Sequence, residues 1–248
     1  MKIRFVLGPL MAALPLLAAA AERPADVPAP KPAEKVLRVA KTEDFEVTGR
    51  GDAPAWEKAR WEVLRLRPKG NQSYQTRVKV LYSETGLYVL FDAADRALTA
   101  TIQEDFGNLW EEDVFEFFLW TDERHPLYFE YEISPLGVEL PILIPNIDQK
   151  FFGWRPWKYD GPRRTRKATS VTGGPKQSGA KITGWKAEVF TPFDLLKPLA
   201  NVPPKSGTRW RANFYRIDYD EGRTTSWDWA PVGSGFHEFE KYGTLLFE

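Results

Sequence analysis

Apolar and polar residues alternate along much of the chain beyond residue 36, in short stretches that turn-forming residues separate. Stretches 77–82 and 87–91 alternate in this way on either side of a turn at 83–86, and together they predict a hairpin. Many short strands joined by glycine- and proline-containing turns predict an all-β fold, an antiparallel β-sandwich of jelly-roll or immunoglobulin-like type. Further strands are predicted at 114–120, 127–133, 138–144, 184–190, 209–217 and 242–247, and one helical turn at 192–196.

The first 21 residues have the pattern of a signal peptide. Lys2 and Arg4 precede an apolar stretch at 6–17, and four alanines at 18–21 supply a cleavage site near Ala20 or Ala21. Residues 22–35 are rich in proline and alanine and predict an extended linker. Residues 36–248 are predicted to form one domain. We therefore expect an exported protein, periplasmic or extracellular, with no membrane span.

Composition excludes several classes of function. The chain has no cysteine, which excludes disulfides and thiolate metal sites. Loss of residues 1–21 removes Lys2 and Arg4 but no acidic residue, so the formal charge moves from 0 to −2 and nucleic acid is not an expected partner. Both methionines lie in the same 21 residues, so the remainder offers no thioether to a haem iron.

An acidic cluster leads directly into the most aromatic predicted strand, in the sequence Asn-Leu-Trp-Glu-Glu-Asp-Val-Phe-Glu-Phe-Phe-Leu-Trp at 108–120. Burial of an unpaired carboxylate costs about several kcal/mol, so Glu116 needs a partner. Strand alternation places Val114, Glu116 and Phe118 on one face. Glu116 is expected either to face a binding groove or to pair with an arginine such as Arg211 or Arg216.

Ten tryptophans are present, and their positions differ in character. Trp56, Trp61, Trp185 and Trp210 lie in or beside periodic segments and are expected in the core. Large rings in polar loops suit a saccharide, because the apolar faces of a pyranose stack on them while carboxylates accept hydrogen bonds from its hydroxyls. The sequence places the following candidates for sugar binding in such surroundings: Trp110, Glu111, Glu116, Trp227, Trp229, Phe236 and His237.

Several segments, in this order, resemble carbohydrate-binding module family 9. They are Leu-Trp-Glu-Glu-Asp-Val-Phe-Glu at 109–116, Gly-Trp-Lys-Ala-Glu-Val-Phe-Thr-Pro-Phe at 184–193, Trp-Arg-Ala-Asn-Phe-Tyr-Arg at 210–216 and Phe-His-Glu-Phe-Glu-Lys-Tyr-Gly-Thr-Leu at 236–245. The resemblance covers most of 36–248. The segment at 145–181 is long, basic and glycine-rich; it extends beyond the module and is expected to include a mobile loop.

The resemblance implies a β-sandwich that clamps a terminal sugar between two aromatic rings. It implies that Trp110 is the first clamping ring and that Glu116 hydrogen-bonds sugar hydroxyls. Phe236 stands where the family has a second clamping tryptophan. The stretch 131–134, Tyr-Glu-Ile-Ser, lacks the arginine and asparagine that the family has nearby.

The predicted function is therefore noncatalytic binding of a mono- or oligosaccharide, in association with polysaccharide breakdown and its enzymes. A glycoside hydrolase is the first alternative, because Glu111, Asp113, Glu116 and Glu132 supply carboxylates. A protein-binding adaptor and a haem-binding sandwich are further alternatives. No cofactor is required. Calcium is a candidate ion, with Asp218, Asp220 and Glu221 as ligands and Asp95 as a further oxygen donor.

Overall fold

The computed structural model describes residues 34–68, 74–148 and 150–248. The predicted signal peptide and nearly all of the linker lie outside these residues. The described chain is almost entirely β-structure, with one four-residue α-helix, α1 (Phe193–Leu196), and short 3-10 helices at Pro54–Lys58, Leu109–Glu111, Gly161–Arg163 and Phe239–Lys241. It contains no helix with the length and apolarity that a bilayer crossing requires.

Fifteen strands form in the described residues. They are β1 (Val36–Lys41), β2 (Glu62–Val63), β3 (Arg65–Leu66), β4 (Thr76–Tyr82), β5 (Gly86–Ala94), β6 (Val114–Trp120), β7 (Leu127–Ile133), β8 (Glu139–Ile147), β9 (Lys150–Phe151), β10 (Arg155–Pro156), β11 (Arg166–Thr172), β12 (Gly184–Pro192), β13 (Arg209–Asp220), β14 (Arg223–Asp228) and β15 (Gly243–Phe247).

Strand β1 links two sheets. Its first four residues pair in parallel with β15, and its last two pair in parallel with β4. The first sheet then has the order β10-β8-β7-β6-β13-β15-β1, and the second has the order β1-β4-β5-β12-β11. Apart from β1, the strand pairs are antiparallel, as the sequence predicts.

The core lies between the two sheets. Phe115 of β6 stacks on Trp185 of β12, with ring centroids 3.8 Å apart, and on Phe91 of β5, 4.6 Å away. Phe117 and Leu119 follow on the same side of β6 and are fully buried. Alternation along β6 thus supplies one apolar face to the sandwich core, and the predicted β-sandwich is confirmed.

The outer face of the first sheet is also covered. Loops 102–113 and 229–242 pack Leu109, Val232 and Phe239 against Phe118 and Tyr128 of this face, in a second buried apolar cluster. Polar side chains on this face are therefore removed from bulk water. This layer of loops is what creates the site described below.

Predicted elements agree closely with those observed where alternation is strong. Strands β6 and β7 have the predicted bounds, and α1 matches the predicted helical turn. The turn at 134–137 is closed by Gly137, whose φ of 85° suits glycine. The segment at 145–181 contains more regular structure than expected, including the seven-residue strand β11 along β12.

Candidate functional site

A cavity of about 370 Å³ opens on the outer face of the first sheet. Its volume falls within the range of small-molecule pockets, roughly 300–1,000 Å³. Its base, here called the acidic floor, consists of Glu116, Glu130 and Glu132, flanked by the apolar side chains of Phe118, Ile142 and Ile217. Aromatic side chains from three separate loops and strands form its walls.

Strand register brings the three glutamates together. Glu116 of β6 lies directly opposite Glu132 of β7, and Phe118 lies opposite Glu130. Side chains directly opposite or two residues apart on one sheet face are neighbours. The side chains of Glu116, Glu130 and Glu132 are only 2 %, 4 % and 1 % exposed.

No basic side chain neutralises this floor: among the described residues, none forms an ion pair with Glu116, Glu130 or Glu132. The Oε2 atoms of Glu130 and Glu132 are buried and accept no hydrogen bond from the described chain. Both arginines expected as partners of Glu116 are used elsewhere. Arg216 projects from the opposite face of β13 to Asp95 and Asp218, and Arg211 contacts Glu123 and the Tyr242 carbonyl.

Burial raises the pKa of all three carboxyls. The pKa of Glu130 rises from 4.5 to about 8. Burial, with repulsion from neighbouring glutamates, raises the pKa of Glu116 and Glu132 well above the ordinary value. Burial lowers the pKa of His237, which also lines the cavity, to about 4, so this imidazole is neutral at pH 7. The floor therefore holds protons near neutral pH and has no fixed positive charge beside it.

The raised pKa of Glu130 predicts that the stability of the folded protein depends on pH. The folded protein binds the Glu130 proton more tightly than the unfolded chain, so its free energy of unfolding falls as pH rises from about 5 through about 8. One pKa unit corresponds to about 1.36 kcal/mol, so the raised pKa of Glu130 should make the free energy of unfolding fall by an amount on the order of a few kcal/mol over this pH range. Glu130→Gln should remove that fall. Urea unfolding at several pH values measures it.

The matched control is Glu104→Gln, because Glu104 is an exposed acid in a nearby loop. It should leave the pH profile unchanged. Parallel profiles for wild type and Glu130→Gln would contradict a proton held by the acidic floor.

The aromatic walls come from distant parts of the chain. Trp110 lies in the 3-10 helix before β6 and is half-buried; its ring meets Trp154 edge to face at 5.4 Å. Phe151 of β9 stacks on His237, with ring centroids 4.3 Å apart. Phe236 stacks on Tyr215 at 4.1 Å. The Arg67 guanidinium also lies over Phe236, 5.0 Å from its ring centroid, so only part of the ring surface faces the cavity.

Three other cavities are larger, two of about 470 Å³ and one of about 780 Å³. In one of the 470 Å³ cavities Lys167 pairs with Asp105 and Glu139. In the largest cavity Arg38 pairs with Glu248. The cavity over the acidic floor combines several aromatic rings with unpaired buried oxygens, so we take it as the candidate site.

Comparison with known proteins finds similarity to one family model and to several solved structures. Residues 47–139 match the model of the family described as carbohydrate family 9 binding domain-like. That range includes Trp110 and the whole acidic floor. An extracellular protein of Arthroderma benhamiae is 25 % identical over 185 residues, covering 70 % of this chain and 78 % of the relative.

Solved structures share the fold. A candidate carbohydrate-binding protein from Bacteroides uniformis has a TM-score of 0.73 at 16 % identity, covering 87 % of this chain and 100 % of its own. A family 9 carbohydrate-binding module from Caldicellulosiruptor kristjanssonii has TM-scores of 0.60 in complex with cellotriose and 0.62 in complex with glucose. Both are 14 % identical and cover 86 % of this chain, and 94 % and 96 % of the module. The chain is therefore like carbohydrate-binding module family 9 in sequence over residues 47–139, and like the solved modules in fold over most of its length.

Four of the sugar-binding candidates line one cavity of this family 9-like domain: Trp110, Glu116, Phe236 and His237. Glu111 is exposed beside the cavity and contacts Asn108 instead. Trp227 and Trp229 do not lie at a loop rim, because they are 1 % exposed in the core.

The burial of these two tryptophans has a clear cause. Strand β14 pairs with β13 and β3. This pairing places Trp227 beneath Arg216, whose guanidinium carbon lies 4.8 Å from the centroid of the Trp227 ring. Trp229 packs on Phe214 and donates its indole N–H to Glu62. Neither ring is available to a ligand.

The three calcium candidates, Asp218, Asp220 and Glu221, do not come together in one site. Asp218 lies with Asp95 and Asp113, with one oxygen of each within 4.8 Å of the others. Asp220 instead accepts hydrogen bonds from Tyr74 and Arg96, and Glu221 is exposed. The Asp218 cluster contains two buried oxygens with no hydrogen-bond donor, Oδ2 of Asp95 and Oδ2 of Asp218, and such oxygens fit a cation ligand. Arg216 already supplies positive charge to Asp95 and Asp218.

The sequence reasoning missed Phe151 and Trp154 as site residues, and did not place Glu130 beside Glu116. Alternation in 127–133 puts Glu130 and Glu132 on one face, and hairpin pairing with β6 puts that face beside Glu116. That signal was present in the sequence. Nothing in the sequence connects Phe151 and Trp154 with Trp110, which lies about 40 residues away.

Proposed function

We propose that this protein is an exported, noncatalytic carbohydrate-binding protein whose site is the cavity over the acidic floor. The observation that carries the proposal is the combination of aromatic walls with buried carboxyl oxygens that have no partner in the described chain. A sugar ring supplies apolar faces for Trp110 and hydroxyl donors for Glu116. The family 9 modules solved with cellotriose and glucose support this ligand class.

Carboxyl geometry favours binding over hydrolysis. Glycosidic hydrolysis uses two carboxyls that flank the scissile bond. Glu116, Glu130 and Glu132 instead lie side by side on adjacent strands of one sheet face. A ligand placed above them has all three on the same side, which suits hydrogen bonding to hydroxyls.

Titration calorimetry with cellotriose and glucose tests this function directly. Dissociation constants on the order of micromolar to millimolar are expected, because a small polar ligand gives little net free energy after desolvation. Absence of heat and of chemical-shift changes with either sugar, and with xylo-oligosaccharides, would overturn carbohydrate binding for these ligands. A polysaccharide-degrading enzyme would be the natural partner of such a module, and calcium at the Asp218 cluster would have a structural role.

Export is proposed from the first 21 residues and is supported by the extracellular relative. Expression of the full chain in a bacterium should give a periplasmic product. Intact mass and N-terminal sequencing should find that it begins at Ala21 or Glu22. A full-length protein retained in the cytoplasm would contradict this prediction.

A further inference from the structure

The acidic floor differs from what a neutral sugar requires. Three carboxyls, each at least nine-tenths buried, share one face with no basic partner among the described residues. Two of their oxygens accept no hydrogen bond. A neutral hexose supplies hydroxyl donors, but it supplies no positive charge that could replace the protons held by these carboxyls.

We propose that the preferred ligand is a cationic amino sugar, a hexosamine with a free ammonium group, bound with its nitrogen over Glu116, Glu130 and Glu132. This inference rests on the proposed carbohydrate-binding function and specifies its ligand class. An ammonium group has three N–H donors and a positive charge, which matches three clustered carboxyls.

The walls suit the same ligand. Trp110 and Trp154 meet edge to face at the cavity, and Trp154 is 36 % exposed. Aromatic faces attract cations as well as the apolar face of a sugar ring. A cavity of about 370 Å³ exceeds the needs of a bare metal ion and accommodates a small organic ligand.

Other titratable groups near the floor do not replace the ammonium charge. The imidazole of His237 is neutral at pH 7, since burial lowers its pKa to about 4. The remaining groups that interact with Glu116 or Glu130 are phenols with raised pKa values: Tyr128, Tyr215, Tyr219 and Tyr242. All are neutral at pH 7. Arg67, which lies over the outer wall at Phe236, is paired with Asp228 and forms no ion pair with the floor, so a cationic ligand is the source of positive charge that the floor lacks.

Binding should therefore be linked to protons. The raised pKa values mean that protons compete with the ammonium group for the floor. Affinity for the amino sugar should rise between pH 5.5 and pH 7, and each binding event should release protons. Calorimetry in buffers of different ionisation enthalpy measures that release.

The decisive experiment compares glucosamine, N-acetylglucosamine and glucose by titration calorimetry at pH 7. We expect glucosamine to bind at least ten-fold more tightly than the two uncharged sugars. Glu130→Gln and Glu132→Gln should each reduce that preference to less than about three-fold. Glu104→Gln, an exposed acid in a nearby loop, should retain it. Circular dichroism and thermal melting establish that each variant is folded.

The outcomes separate the two proposals. Glucose binding with no preference for glucosamine overturns the amino-sugar inference and leaves carbohydrate binding intact. A preference that survives both glutamine variants, or that Glu104→Gln abolishes, also overturns the inference, because general negative charge would then be responsible. Failure of all three sugars and of cellotriose to bind overturns the proposed function itself.

Discussion

Trp110→Ala should weaken sugar binding at least ten-fold while leaving the fold intact. The indole is half-buried and lines the cavity, so its loss removes stacking area from the ligand. A ten-fold loss corresponds to about 1.4 kcal/mol. The local backbone should persist, because the carbonyl of residue 110 accepts the Tyr219 hydroxyl whatever its side chain. Calorimetry with cellotriose, or with glucosamine if that ligand binds more tightly, measures the effect.

Trp61→Ala is the matched control for this variant. Trp61 is also half-buried, but it packs under Arg77 and Lys79 on the second sheet and does not line the cavity. Its replacement should lower stability without changing affinity. Undiminished binding by Trp110→Ala, or equal losses in both variants, would contradict the assignment of the Trp110 ring to the site.

Arg216→Ala should lower the free energy of unfolding by about 3–5 kcal/mol, since loss of one partner from a buried ion pair leaves uncompensated charge. Arg216 is fully buried. Its Nη2 atom lies 3.0 Å from Asp95 and 2.8 Å from Asp218, and its Nη1 donates to the Ala94 carbonyl. Urea unfolding measures the loss.

This loss should depend on pH. Without Arg216 the two aspartates can avoid buried charge by protonation, so the variant should be less destabilised at pH 5 than at pH 8. Arg38→Ala provides the control, because the Arg38–Glu248 pair is exposed and contributes little to stability. A loss for Arg216→Ala no greater than that for Arg38→Ala would show that the buried cluster is not maintained by this guanidinium.

Local patterning explains why the sandwich was predictable. Alternation in β6 and β7 is strong, and both strands have the bounds that the sequence predicts. Strand β14 was missed because its sequence, Arg-Thr-Thr-Ser-Trp-Asp, is mostly polar and resembles a turn-rich loop. It forms because β13 extends to Asp220 and offers it a pairing edge, which is a tertiary effect.

The site was only partly predictable for a similar reason. Trp110 and Glu116 are close in sequence and carry a recognisable motif. The outer face that holds Glu130 and Glu132 becomes a buried floor only after loops 102–113 and 229–242 fold over it. Burial of that face, and the absence of a basic partner for its carboxyls within the described residues, are properties of the packed molecule.

Phe151 and Trp154 stand on a short segment that begins with β9, beyond residues 47–139 and outside the paired faces of the sandwich. Part of the aromatic enclosure therefore lies on a different segment from β6 and β7, the strands that carry the acidic floor. Grafting this segment between homologues offers a route to new ligand selectivity on an unchanged scaffold.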